Sequence, residues 1–167
     1  MHHEVFVGIG SNVGSPAAQV RDAVGRLARL PGTAVVRVSS LYRTEPVGRE
    51  EQDWFVNAVA QLESSLPPRQ LMGELLAVEE EMGRMRTTPG GPRVIDLDIL
   101  LFGDLVMDEA GLRIPHPRLH ERRFVLVPLC EVAPHALHPA LKKETRELLA
   151  ELKDTKCVEF LEPWRDG

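Results

Sequence analysis

Val94-Ile95-Asp96-Leu97-Asp98-Ile99-Leu100-Leu101-Phe102 holds seven apolar residues and two aspartates. It lies between Gly90-Gly91-Pro92 and Gly103-Asp104, and an apolar run of this length between turn-forming residues reads as a buried strand. Side chains alternate along a strand, so Asp96 and Asp98 share a face, about 6–7 Å apart. This strand decides the fold because it closes a series of six elements. Upstream of it, Thr87–Pro92 is too rich in Pro and Gly for regular structure. Before that, Pro67 begins a helix with Leu71, Leu75, Val78 and Met82 on its buried stripe. Phe55 to Glu63 alternates as a strand, with Val56, Ala58, Ala60 and Leu62 on one face and Phe55, Asn57, Val59 and Gln61 on the other. Thr44–Gly48 is a loop, and Thr33 to Tyr42, rich in Val, Thr and Ser, reads as one strand. Val20, Ala23, Val24, Leu27 and Leu30 recur at helical spacing, with Ser15-Pro16 as N-cap and first-turn proline and Pro31-Gly32 as the stop. Val5–Ile9 is the first strand.

The order is βαββαβ, which predicts an α+β, ferredoxin-like core: an antiparallel sheet with both helices on one face. Beyond it, Gly103-Asp104 is expected to turn the chain into a hairpin through Leu105-Val106-Met107. Leu112-Arg113-Ile114 reads as a strand. Arg118–Ala133 is left open between helix and strand because of Pro128, and Glu144–Lys153 reads as an amphipathic helix. These form a C-terminal extension, and all 167 residues are expected to make a single domain, 1–167. At this length about 70% of the unfolded surface is buried, enough for a true core.

Hydrophobic residues are 43% and charged residues 27% of the chain, with a net charge of −5. This fits a folded, soluble protein and argues against a general nucleic-acid binder. Cys130 and Cys157 are the two cysteines, far apart, so a reducing cytoplasm is expected. No apolar run nears the roughly 20 residues that span a bilayer, and no secretory signal is visible, so no membrane association is expected. The mean charge conceals a pattern. Sixteen of the 20 basic residues are Arg. Arg84–Ile95 carries three arginines and no carboxylate; Arg113–Arg123 carries four, with His116 and His120 and one glutamate. The rigid fork of arginine matches phosphate oxygens.

Asp-x-Asp on a half-exposed strand commonly means two solvated acids. Inside an apolar strand, with arginines just upstream, two uncompensated carboxylates repel and lose hydration, which a divalent cation relieves. Asp96 and Asp98 are therefore candidate Mg²⁺ ligands. Arg84, Arg86 and Arg93 bracket the Pro/Gly loop that feeds this strand, as recognition of a triphosphate by several fixed cations would require. His116 and His120 have helical zinc spacing, but Pro117 intervenes and no H-E-x-x-H is present. There is no Walker-type phosphate loop. Gly8-Ile9-Gly10-Ser11-Asn12-Val13-Gly14 is one residue too long for a dinucleotide fingerprint, so Gly8 and Gly10 are read as allowing close backbone approach. Phe55 and Asn57 set a ring beside an amide, and Phe124 offers a second ring. Such a set suits a flat heteroaromatic ligand, although both rings equally suit a core.

These residues resemble the 6-hydroxymethyl-7,8-dihydropterin pyrophosphokinase family from Val7 to about Pro139. The resemblance rests on Gly8-Ile9-Gly10-Ser11-Asn12, Ser40-Leu41-Tyr42-Arg43-Thr44 and Phe55-Val56-Asn57-Ala58. Above all it rests on the run from Gly91-Pro92-Arg93 through Asp96 and Asp98 to Gly103, followed by Ile114-Pro115-His116-Pro117 and Arg122-Arg123-Phe124. It implies pyrophosphoryl transfer from ATP to the pterin hydroxymethyl oxygen, with attack at the β-phosphorus and release of AMP. Asp96 and Asp98 would hold two Mg²⁺ ions, with ATP as co-substrate. Arg84, Arg93 and Arg122 would neutralise phosphate, with Arg86 and His116 assisting. Glu79 would lie near the nucleotide or its loops, and Ile99 would meet adenine through its backbone. Thr44, Val47 and Asn57 would hold the pterin edge, with Phe55 and Phe124 stacking on it. A cytoplasmic monomer is expected. The chain departs from the family where Pro89-Gly90 replaces a frequent Arg-Trp, where Glu45 replaces a frequent proline before Pro46, and where Pro117 replaces a frequent aromatic. Two other classes share parts of this pattern. RNA-recognition modules share the element order but need basic, aromatic central strands, and a nucleotide-sensing regulatory domain would bind without turnover.

Overall fold

The computed structural model describes residues 2–47, 51–84 and 92–165. Its elements run β1 (His3–Ser11), α1 (Pro16–Leu27), β2 (Thr33–Val38), β3 (Leu41–Thr44), β4 (Phe55–Ser64), α2 (Pro68–Glu81) and β5 (Asp96–Phe102). There follow β6 (Met107–Glu109), β7 (Leu112–Ile114), a 3₁₀ turn Leu119–Glu121, α3 (Arg123–Val132), β8 (Leu137–His138), β9 (Lys143–Glu144), α4 (Thr145–Glu151) and β10 (Val158–Glu162).

The main sheet has the order β10-β3-β4-β1-β5, with β2 also pairing β4, and every pairing is antiparallel. This is the expected split-βαβ order, its second strand divided into β2 and β3. The division has a chemical cause at Ser39-Ser40. Ser39 Oγ accepts the Val59 N–H at 2.9 Å, and Ser40 N–H and Oγ both donate to Glu131 of α3, at 2.9 and 2.8 Å. Serine side chains here take over bonds that a continuous ladder would make, and Tyr42 OH adds a third bond to Glu131 at 2.7 Å.

The alternation expected for β4 is present and separates two cores. Val5, Val7, Ile9, Ala58, Ala60 and Leu62 face α1 and α2, which present Val20, Ala23, Val24, Leu27, Leu71, Leu75 and Val78. Phe6, Val59, Leu100 and Leu101 face the other way, onto Leu126, Leu129 and Val132 of α3 and Leu148 of α4. A bulge lets neighbours Leu100 and Leu101 share that second face: Phe6 pairs Leu101 while Val7 pairs Ile99. No helix among the described residues is long and apolar enough to cross a membrane, and Cys130 and Cys157 are free thiols.

Two local expectations are corrected, one left open is settled and one element is new. Ser15 stands at the N-cap of α1, but its hydroxyl makes no capping bond; Pro16 alone supplies the start signal. Leu105-Val106-Met107 does not pair with β5. Instead β6 turns back at Gly111, φ +79°, onto β7 in a separate two-stranded sheet. The Pro128 segment is helical, because Leu126, Leu129 and Val132 at helical spacing bury against the sheet. Finally, β10 was not anticipated: Val158–Glu162 is short, with three of its five residues exposed, so it carries no periodic signal.

Candidate active site

The cleft lies on the α3 side of the sheet, and its floor is built by two glycines. In the register, Gly10 of β1 sits between Asn57 of β4 and Asp96 of β5, and Gly8 sits between Val59 and Asp98. Residues in one cross-strand row point to one face. The central strand therefore contributes no side chain here, and the rows on either side look across bare main chain. A Cβ at Gly10 would lie 2.6 Å from Asn57 Nδ2 and 3.7 Å from the Phe55 ring; at Gly8 it would meet only Leu100, at 3.4 Å or more. The resulting cavity, of about 340 Å³, is lined by residues from β1, β3, β4, β5 and the segment leading into α3.

One wall is neutral. Thr44 Oγ1 donates to Asn57 Oδ1 at 2.5 Å, and the Ile9 carbonyl lies 3.5 Å from Asn57 Nδ2. Both side chains are buried, so these bonds fix the amide where it lines the cleft. Val47, Phe55 and Phe124 stand with it, and Glu45, beside Thr44, also lines the cavity and is the one carboxylate on this otherwise neutral side.

The opposite wall is charged. Asp96 is gripped by two arginines: Arg84 Nη1 donates to Oδ1 at 2.9 Å and Arg93 Nη1 to Oδ2 at 2.8 Å. Arg84 is itself anchored by buried Glu79, Nη1 to Oε2 at 2.7 Å. The same Glu79 oxygen accepts the Leu97 N–H at 2.7 Å, tying the end of α2 to β5. Arg84 Nε is buried without a hydrogen-bond partner among the described residues. Burial, then Asp96 and Glu79, push the Asp98 carboxyl up to about 7, against the pull of Arg93 and Arg84. Ionising a carboxyl whose folded pKa lies above its unfolded value opposes folding. The unliganded chain should therefore lose stability as pH rises from about 4 through about 7. Asp98→Asn is expected to flatten that slope, measured by thermal unfolding at pH 4.5 and pH 8; an equal slope in both proteins would refute this.

His116 and Arg122 close the far side. Burial, then Arg122, hold the His116 pKa below its ordinary value. Its Nδ1 accepts the Arg118 N–H at 3.1 Å, so the neutral ring carries its proton on Nε2 and can donate from there. Burial and Arg118 lower the Arg122 pKa, and its guanidinium lies 5.5 Å from the Phe124 ring centroid.

The family model described as 7,8-dihydro-6-hydroxymethylpterin-pyrophosphokinase matches residues 6–134. The chain belongs to this family. Relatives named 2-amino-4-hydroxy-6-hydroxymethyldihydropteridine pyrophosphokinase include that of Pseudomonas aeruginosa, 45% identical over 80% of this chain and 83% of the relative. That of Methylorubrum extorquens is 42% identical over 94% and 98%. In fold the chain resembles the solved Plasmodium falciparum HPPK-DHPS with pterin and p-hydroxybenzoate, at TM-score 0.72 and 16% identity; it covers 42% of that longer protein.

Of the residues proposed from the sequence for this pyrophosphokinase family member, ten line the one cleft. Thr44, Val47, Phe55, Asn57 and Phe124 stand with the neutral wall, and Arg93, Asp96, Asp98, His116 and Arg122 with the charged one. Arg84 and Glu79 stand behind Asp96 and reach the cleft through it. The Ile99 side chain turns away, into the core under α1 and α2, because odd positions of β5 before the bulge face that side. Arg86 and Pro89-Gly90 lie outside the described residues. His120 does not join His116; it meets His138 edge-on, with ring centroids 6.2 Å apart. Two residues escaped the sequence reading. Arg118 lines the cleft and belongs to the second arginine-rich stretch. Asn12 is buried, and its Oδ1 accepts the Arg93 N–H at 2.7 Å while its Nδ2 donates to Gln52 Oε1 and the Asp53 carbonyl at 2.8 and 3.0 Å. It joins the loop before β4 to the backbone of Arg93. Only its place in the Gly8–Asn12 motif marked it.

Proposed function

We propose that this cleft transfers pyrophosphate from ATP to the hydroxymethyl oxygen of 6-hydroxymethyl-7,8-dihydropterin. The alcohol oxygen bonds to the β-phosphorus, the bond from that phosphorus to the α,β-bridging oxygen breaks, the hydroxyl proton is lost, and AMP leaves. The observation that carries this reading is the convergence of a neutral amide–aromatic wall and a carboxylate–arginine wall across one glycine floor.

The pterin is read by the neutral wall, with the Asn57 amide at its edge and Phe55 and Phe124 at its faces. The triphosphate is read by Arg93, Arg122 and the Nε2–H of His116, with Arg84 behind Asp96. Arg84 and Arg93 both end on Asp96, so phosphate oxygens can take over donors already positioned nearby, at little reorganisation cost. Asp96 and Asp98 suit Mg²⁺. They are hard oxygen donors on one strand face, one of them buried enough to resist ionising alone. An ion of this kind is commonly bound by one or two carboxylates plus phosphate and water. Two Mg²⁺ ions held there would supply charge neutralisation at the phosphates and a lowered pKa at the substrate hydroxyl. The chain's own residues orient the two substrates.

A cytoplasmic monomer acting as a single domain is part of this reading. The test is AMP release from ATP and 6-hydroxymethyl-7,8-dihydropterin with Mg²⁺. It should require both substrates and stop with EDTA. Nucleotide binding without AMP from a folded sample would favour the regulatory reading.

A further inference from the structure

The loop that leaves β3 at Thr44 and enters β4 at Phe55 carries Val47 and borders the neutral wall. Both of its ends are held by the segment from Lys156 through β10. Residue 45 donates its backbone N–H to the Cys157 carbonyl at 3.0 Å. Its carboxylate accepts the Cys157 N–H on Oε1 at 2.9 Å and faces Lys156 Nζ from Oε2 at 3.6 Å. Directly beyond this clasp β10 pairs with β3, Val158 opposite Thr44, Glu159 opposite Arg43 and Phe160 opposite Tyr42. Thr44 is thereby flanked by strands on both sides, Val158 on one and Phe55 on the other. At the other end of the loop, Glu159 pairs with Arg43 at 3.4 Å, and the Arg43 guanidinium lies 4.2 Å from the Trp54 ring centroid, one residue before Phe55. The strand is itself fastened at its far end, where Glu162 pairs with Arg21 of α1 and Trp164 reaches the core beneath that helix.

We infer that the C-terminal strand is a brace for the pterin wall, and that Glu45, itself a lining residue of the cavity, is the positioning residue through which it acts. The physical requirement is specific. A clasp that uses both the N–H and the side chain of residue 45 cannot form with proline there, because proline has no N–H. Glutamate at this position is thus matched by a C-terminal segment that uses both its N–H and its carboxylate. The brace fixes Thr44, whose hydroxyl sets the Asn57 amide, before substrate arrives, so ordering cost is removed from pterin binding and not from ATP binding.

The inference rests on reading Thr44 and Asn57 as the pterin wall, and the experiment separates the two. Steady-state kinetics of full-length wild type, Glu45→Pro, Glu45→Gln and Asn57→Ala are compared. Loss of two hydrogen bonds in Glu45→Pro should raise the pterin KM about tenfold, with kcat and the ATP KM within about twofold. Glu45→Gln keeps the N–H and a side-chain oxygen and should restore the wild-type pterin KM. An unchanged pterin KM in Glu45→Pro, beside a raised one in Asn57→Ala, would overturn the brace. So would a parallel loss of kcat and both KM values. An unchanged pterin KM in Asn57→Ala would instead remove the pterin assignment. The brace is then still judged by hydrogen exchange without substrate. Glu45→Pro should speed exchange across Leu41–Thr44 and Val158–Glu162, and unaltered protection there would overturn it.

Discussion

Asp98→Ala is expected to reduce Mg²⁺-dependent AMP release by about three orders of magnitude or more, a loss of about 4 kcal/mol of transition-state stabilisation. Asp98 sits in the row beside Gly8, and its carboxylate is raised to about 7 by burial and by Asp96. Removing it relieves that strain, so the variant should fold at least as well as the wild type while losing half of the paired carboxylates. Asp96→Ala should be as inactive for a compound reason. It deletes a metal ligand and also frees Arg84 and Arg93, whose guanidinium groups both end on Asp96. Asp96→Asn keeps acceptor capacity for one of the two arginines and turns an NH2 donor toward the other, so it should retain the fold and the placement of one arginine, but not activity. Initial rates of AMP formation across a Mg²⁺ titration, with circular dichroism for folding, check all three. Activity of either alanine variant within tenfold of wild type would remove the metal assignment.

Gly10→Ala should raise the pterin KM by about 10- to 100-fold while the ATP KM changes little. An added Cβ lies 2.6 Å from Asn57 Nδ2, closer than real contacts allow, so something must move. Asn57 is 9% exposed and its oxygen is held by Thr44, so it cannot swing aside without losing that bond. Overpacking of this kind costs about 1–3 kcal/mol, here charged to the group that reads the pterin edge. Gly8→Ala is the control one row away. Its Cβ meets Leu100 at ordinary contact distance, and the effect should be severalfold at most. Equal effects of the two substitutions on pterin and ATP would show general damage to β1 and refute the reading of Gly10.

Periodic features were legible in the sequence because they follow from alternation and helical spacing. Phe55 and Asn57 on one face, Asp96 and Asp98 on another strand's matching face, and the two helix stripes needed no tertiary information. What could not be read depended on partners distant in the chain. Ser39 and Ser40 break a β-rich segment only because Val59 and Glu131 meet their side chains. The Pro128 segment resolves to helix only once there is a sheet for Leu126 and Leu129 to cover. Strand β10, largely exposed, exists through β3 and through Glu45, about a hundred residues earlier. Ile99 was assigned a backbone contact with the nucleotide by resemblance; parity along β5 sends its side chain into the core, which leaves that backbone contact untouched. Asn12 and Arg118 carry no local pattern that marks a role. Glu79 was placed near the nucleotide loops by resemblance; its buried grip on Arg84 and the Leu97 amide appears only when α2 and β5 are side by side.

The glycine floor also bears on inhibition. A flat inhibitor lying along β1 at Gly8 and Gly10 would rest on main-chain atoms, which substitution cannot remove. Escape at Gly10 by adding a side chain would displace the same Asn57 that serves the natural substrate. Resistance would therefore have to arise away from Gly10: at Gly8, where an added methyl meets only ordinary contacts, or in the loops around the floor, where a change can distinguish inhibitor from pterin.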